Sequence, residues 1–147
     1  MISDALSRLK KHIEEVPVRF AEFSIEEAST PPAPGKWSKK EVIGHLIDSA
    51  CNNHSRFVRS AFESEPITLV KYAQDDWVSV QNYASENTAD VIALWEAYNR
   101  HIYNILSVFP DDKLNVKWNI AGDEYTTEWL IIDYVDHMEH HLNQIFK

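Results

Sequence analysis

A single cysteine, three glycines and only fourteen basic residues against twenty-three acidic ones are the scarcities of this 147-residue chain. Each removes a class of protein. With Cys51 alone no disulfide can form within the chain, so a reducing cytoplasm is the expected home. So few glycines leave little room for the tight turns of a β-rich fold, and a mostly helical chain is expected. A net charge of −9 repels a phosphate backbone, and no basic patch offsets it, so no nucleic acid is expected as partner. Long apolar runs are also missing, and Met1 to Arg8 has neither the basic start nor the apolar stretch of a secretory signal. No membrane association is expected.

What is present fits one ordinary domain. Hydrophobic residues make up 44% and charged residues 25%, the proportions of a globular protein with one core spanning residues 1–147. Ala5, Leu6, Leu9 and Ile13 recur at helical spacing behind Ser3, a plausible N-cap, and Pro17 is expected to interrupt that first helix. Val18 to Phe23 then reads as a second piece, and Ser24 to Glu27 as one more turn. Three prolines between Thr30 and Lys36 make a stiff connection. Ser38 and Glu41 form a capping box ahead of Val42, Ile43, Leu46 and Ile47, which predicts a helix from about residue 39 to 62. Trp37, just before the cap, suits a hydrophobic staple.

Residues 64 to 83 read as a crossover holding one short helix. Thr88 can cap a third long helix, with its apolar stripe running from Val91 through Trp95 and Ile102 to Phe109 and closed by Pro110. Alternation at Val116, Trp118 and Ile120 before Ala121-Gly122 predicts a small hairpin. Thr126 then caps a last helix over about 127 to 146. Four long helices with one longer crossover make an all-α four-helix bundle.

Chemistry concentrates on the histidines. His137 and His141 stand four apart, about 40° and about 6 Å from each other on one helix face, so both can aim a ring nitrogen at one ion. A solvated or core-satisfied pair has the same spacing, so a third ligand is required. His45 is the candidate, because it lies in the apolar run from Val42 to Ile47, where a histidine needs a partner, and Gly44 beside it allows another helix to approach. His54 points to the opposite side of that helix, and His12 and His101 read as surface residues. Three imidazoles with no fourth protein ligand leave an open position, where water or a thiol would ionise more easily. Zn²⁺ and Ni²⁺ both suit such ligands. Against His140, which is almost as well placed, His141 shares its line with Gln144 and Tyr134, whereas His140 shares a charged edge with Asp136 and Lys147.

The string from Pro34 to Phe57, containing Trp37-Ser38, Glu41 and His45, together with His137 to Ile145 far downstream, resembles the DinB/YfiT-like superfamily. The crossover segment Tyr72 to Trp77 is similar as well. The resemblance implies a four-helix bundle with one divalent metal ion per chain, zinc or nickel, on His45, His137 and His141. It also implies one of several activities. Some relatives are transferases that activate a low-molecular-weight thiol such as bacillithiol, mycothiol or glutathione, and others are thiol-dependent isomerases.

Around those ligands, Asp48, Asn52, Asp133 and Gln144 are placed to fix a histidine tautomer or hold a metal-bound water. Arg56, on the His45 stripe, can take an anionic group of a thiol or pair with an internal carboxylate. Tyr72, Gln74 and Trp77 are candidates for the pocket mouth, and Cys51 reads as a small buried hydrophobe. The expectation is a metal-dependent thiol S-transferase, or related thiol-using enzyme, acting on a small electrophile. The alternatives are a metal-dependent hydrolase using water, or a metal-binding or dimerisation module without turnover, with a homodimer as one expected assembly.

Overall fold

A computed structural model describes residues 1–147. Its first helix, α1 (Ser3–Phe20), buries Ala5, Leu9, Ile13, Val16 and Phe20. Contrary to the sequence expectation, Pro17 lies inside this helix. Proline deletes one backbone donor, and here the loss falls in the last turn, where Phe20 is anchored edge-on against Phe23 (5.5 Å) and Phe146 (6.5 Å). Packing of that ring outweighs the missing bond.

A single turn, α2 (Ile25–Ser29), is capped by Ser24, whose Oγ accepts from Glu27 N. The stiff connection then delivers the chain to α3 (Lys39–Ser60). Both halves of the capping box form: Glu41 N donates to Ser38 Oγ at 3.2 Å, and Ser38 N donates to Glu41 Oε1 at 3.1 Å. The start of α3 is therefore fixed by local chemistry, and with it the height of His45 in the bundle.

Between α3 and the next long helix run β1 (Ile67–Thr68), α4 (Gln74–Gln81) and a 3₁₀ turn at Tyr83–Ser85. This crossover packs on α3, which explains why every residue from Val42 to Ala50 is buried. Gly44 lets the ring of Tyr83, rather than a helix, approach closely; a Cβ there would stand 2.2 Å from Tyr83 Cδ2. Cys51, just past the covered stretch, is exposed, which corrects the expectation that it is buried.

Helix α5 (Thr88–Ser107) is capped one residue earlier than expected, by Asn87, whose Oδ1 accepts from Asp90 N at 3.1 Å. Strands β2 (Lys117–Ile120) and β3 (Asp123–Thr126) form the expected hairpin, and β1 adds to β2 in parallel. Positive φ at Ala121 (52°) and Gly122 (94°) makes its two-residue turn the kind that matches strand twist. Trp118 is fully buried; its indole N–H donates to Ser60 Oγ (3.0 Å) and Thr127 Oγ1 (3.2 Å). That contact joins the hairpin to the end of α3 and the start of α6 (Thr127–Ile145).

The four long helices, α1, α3, α5 and α6, form a four-helix bundle in which α5 and α6 each pack on both α1 and α3. Helices α3 and α6 run antiparallel, since Ser60 meets Thr127 at one end and Lys39 Nζ reaches Ile145 O at the other. His45, early in α3, thus lies level with the C-terminal half of α6. No helix is long and apolar enough to cross a membrane.

Candidate metal centre

Antiparallel packing brings His45, His137 and His141 together, with their ligand-capable nitrogens all within 4.8 Å of one another. His137 Nε2 is 3.4 Å from His45 Nε2 and 3.2 Å from His141 Nε2. His45 has no solvent exposure, while the other two are partly open. His140 stays outside on the exposed flank.

The arrangement fits a divalent ion on two counts. Ligand nitrogens held about 2.0–2.1 Å from a tetrahedral ion are about 3.4 Å apart, close to the two spacings found. Protonation also points there: Gln144 Oε1 lies 3.0 Å from His141 Nδ1, so that nitrogen carries the proton and Nε2 offers a lone pair. One proton on His137 Nε2 can serve only one of its two neighbours, whereas a cation serves all three nitrogens. Burial, followed by the nearby His141 and His137, lowers the His45 pKa to about 3. Burial, then His141 and His140, brings His137 to about 4, and burial also lowers His141. The lone pairs are consequently free at neutral pH.

The other sequence-selected residues differ in how near the histidines they come. Gln144 touches a ligand directly and also approaches His140 Nε2 at 3.3 Å. Asp48 is buried, but its Oδ1 accepts from Tyr83 OH (2.7 Å) and Gln81 Nε2 (2.5 Å), while Oδ2 has no hydrogen-bond partner. Burial raises the Asp48 carboxyl above its ordinary range, with the Tyr83 and Gln81 bonds opposing. Asn52 donates to the Asp48 carbonyl, one turn back on its own helix.

Arg56, Tyr72, Gln74 and Asp133 line a cavity of about 410 Å³ that also contains His137. Burial, then Asp136, pushes the Asp133 carboxyl up, while Arg56 opposes. Trp77 does not line the cavity; its ring stands edge-on to Tyr72 at 5.3 Å. A second cavity, of about 610 Å³, reaches His141 and Gln144, with Trp37, Lys36, Lys39 and Lys147 in its wall.

The structure adds residues that sequence reading did not assign to the site. Trp37 lies 4.9 Å from the His45 ring at 31°, so it seats the imidazole as well as standing at the helix entry. Tyr83 and Gln81 come from the crossover, and no local pattern tied them to Asp48. Lys36 and Lys39 are near neighbours in the sequence, and Lys147 joins them only in the fold. His54 is elsewhere, with Nδ1 3.0 Å from Tyr98 OH, and His12 pairs with Glu139 at 2.8 Å.

Comparison with known proteins agrees with this fold. YfiT of Bacillus subtilis, named provisionally as a metal-dependent hydrolase, is 24% identical over 139 residues, covering 90% of this chain and 78% of that protein. Its solved structure, described as a four-helix bundle of unusual topology, superposes with a TM-score of 0.86 at 21% identity over 97% of this chain and 82% of YfiT. A similarly named protein of Bacillus mycoides is 24% identical over 106 residues, 69% of this chain, and the alignment spans 61% of that relative's length. The mycothiol-dependent maleylpyruvate isomerase shares the fold with a TM-score of 0.70 at 14% identity, over 97% of this chain and 60% of its own. The DinB superfamily model matches residues 8–145, nearly the whole bundle including all three histidines, and the chain belongs to that superfamily.

Proposed function

We propose that the protein is a metal-dependent enzyme that joins a low-molecular-weight thiol to a small electrophilic substrate, with His45, His137 and His141 holding one divalent ion, zinc or nickel. The observation that supports thiol transfer over hydrolysis is that the histidines border two cavities. His137 borders the one of about 410 Å³ and His141 the one of about 610 Å³. A transfer brings two organic molecules to one centre; a hydrolysis brings one and a water. Both volumes suit small ligands.

A bound divalent ion would lower the pKa of a thiol or water beside it and favour its anion. The chain's own residues prepare for that anion. Three neutral imidazoles bring no negative charge, so an exogenous anion is the natural complement. Gln144 holds His141 in the tautomer that presents Nε2, and Trp37 seats the His45 ring. On the His141 side Lys36, Lys39 and Lys147 outnumber Asp75, which suits a thiol bearing acidic groups. The reaction releases the thiol proton to solvent, forms a carbon–sulfur bond and breaks the bond to the electrophile's leaving group.

Hydrolysis is the second reading, favoured by Asp133, whose raised carboxyl borders the same cavity as His137 and has the character of a general base. Metal-loaded protein assayed with bacillithiol, mycothiol and glutathione against an electrophilic fluorogenic reporter separates the two. Conjugation that needs both thiol and metal is expected. Ester or amide cleavage without thiol would replace the first reading with the second.

A further inference from the structure

The cavity beside His137 contains a cation without a carboxylate partner. Arg8, Arg59 and Arg100 each pair with an acidic side chain, and Arg19 lies over the Phe146 ring at 4.1 Å. Arg56 does neither. Its guanidinium makes only two long contacts, 3.4 Å to Asn53 Oδ1 and 3.4 Å to Val70 O, and no acidic oxygen lies within ion-pair distance. A guanidinium has five donors in a planar fork, so most of its capacity is unused. Burial, with Arg59 adding to it, depresses its pKa, while Tyr72 and Asp133 oppose from too far away to form an ion pair.

Geometry gives that cation a direction. Arg56 is eleven residues beyond His45 on α3, about 16 Å of rise, but helical side chains lean toward the helix N-terminus, so the guanidinium is brought back toward the histidines. The wall is mixed: Leu69, Ile120 and Leu130 supply an apolar part, and Ser49, Asn53 and Gln74 a polar one. The other charged groups facing the cavity are Lys71 and Asp133, so its charge is net positive.

We infer that the substrate of the His137 cavity is a small amphipathic carboxylate whose anionic end binds Arg56 and whose apolar body leads the reacting carbon to the histidine centre. The inference rests on the proposed function for what happens at the histidines, but the carboxylate site exists whether or not an ion is bound. A carboxylate meets the fork with two parallel N–H···O bonds, and bonds of that charged kind are worth about a tenfold to hundredfold preference over a neutral group of equal shape.

Chelator-treated full-length protein titrated with hexanoate and with hexanamide, its neutral isostere, tests the inference by following the Arg56 Nε–H signal in ¹H–¹⁵N spectra and the dissociation constants. Hexanoate should bind at least about tenfold tighter and move that signal. Arg56→Gln should bring the two probes within about twofold while keeping its helical circular dichroism, and Arg56→Lys should retain part of the preference. Equal binding of the two probes to the wild type, or a preference that survives Arg56→Gln, would overturn the inference. A parallel cobalt titration of the wild type reads the histidine centre separately, so failure there counts against the metal-enzyme reading and leaves the carboxylate result standing.

Discussion

Gln144 Oε1 lies 3.0 Å from His141 Nδ1, and that contact decides which nitrogen of His141 faces His137 and His45. Because the same Gln144 also approaches His140, one amide separates a ligand histidine from its look-alike neighbour. His141→Ala should lower metal affinity by orders of magnitude, and His140→Ala by less than about tenfold. Gln144→Leu should fall between them, at about 10- to 100-fold, as expected for loss of a group that orients a ligand. Isothermal titration with Zn²⁺ ranks the three, and a larger loss for His140 than for His141 would mean that α6 turns another face to α3.

His45→Ala should abolish stoichiometric binding and leave the helices intact. The core is a cluster of 28 buried hydrophobic residues to which the imidazole does not belong, so the bundle does not need the centre to fold. Elemental analysis should find about one divalent ion per wild-type chain and essentially none in the variant. Loss of helical circular dichroism in metal-free wild type would make the ion structural.

The parts of this molecule that were legible in the sequence are those with a local cause. The Ser38–Glu41 box fixes its own helix start, and period 3.6 puts His137 and His141 on one face whatever the rest of the chain does. His45 was readable because a histidine in an apolar run is conspicuous. Pro17 was misleading because the residue that keeps α1 helical past it, Phe20, is held by Phe146 at the far end of the chain. Cys51 was misplaced for a related reason: exposure on α3 depends on where the crossover stops covering it. The partners of Asp48 were hidden too, since Tyr83 and Gln81 arrive by tertiary folding.

Gly44→Ala should destabilise the protein by about 1–3 kcal/mol, the usual cost of overpacking a closed site. The new methyl carbon would stand 2.2 Å from Tyr83 Cδ2, so the ring must move and its 2.7 Å bond to Asp48 must weaken. Thermal denaturation reads the loss. In a Tyr83→Ala background Gly44→Ala should be nearly neutral on stability, because the ring carbons that the methyl would meet are gone; full additivity of the two effects would show that Gly44 is not there for the ring.

Acid should weaken the metal-free protein through the same buried imidazoles that serve the ion. The folded-state pKa values of about 3 for His45 and about 4 for His137 lie below the ordinary value of 6.5, so between these limits the unfolded chain binds more protons than the folded one. Stability is then complete above about pH 6.5 and falls as pH drops through the window toward 4 and 3. Asp48 works in the opposite sense: its raised carboxyl takes up a proton on folding and so favours the folded state as pH falls. A bare pH profile mixes the two. The discriminating measurement is the urea midpoint of chelated wild type and of His45→Asn at pH 7 and pH 5, with Asp48 present in both. Wild type should lose more stability over that interval than the variant, because His45→Asn removes one of the titrating groups and leaves the carboxyl unchanged. An equal loss in both proteins would show that the His45 imidazole is already solvated in the metal-free state, and that the closed pocket forms only around the ion.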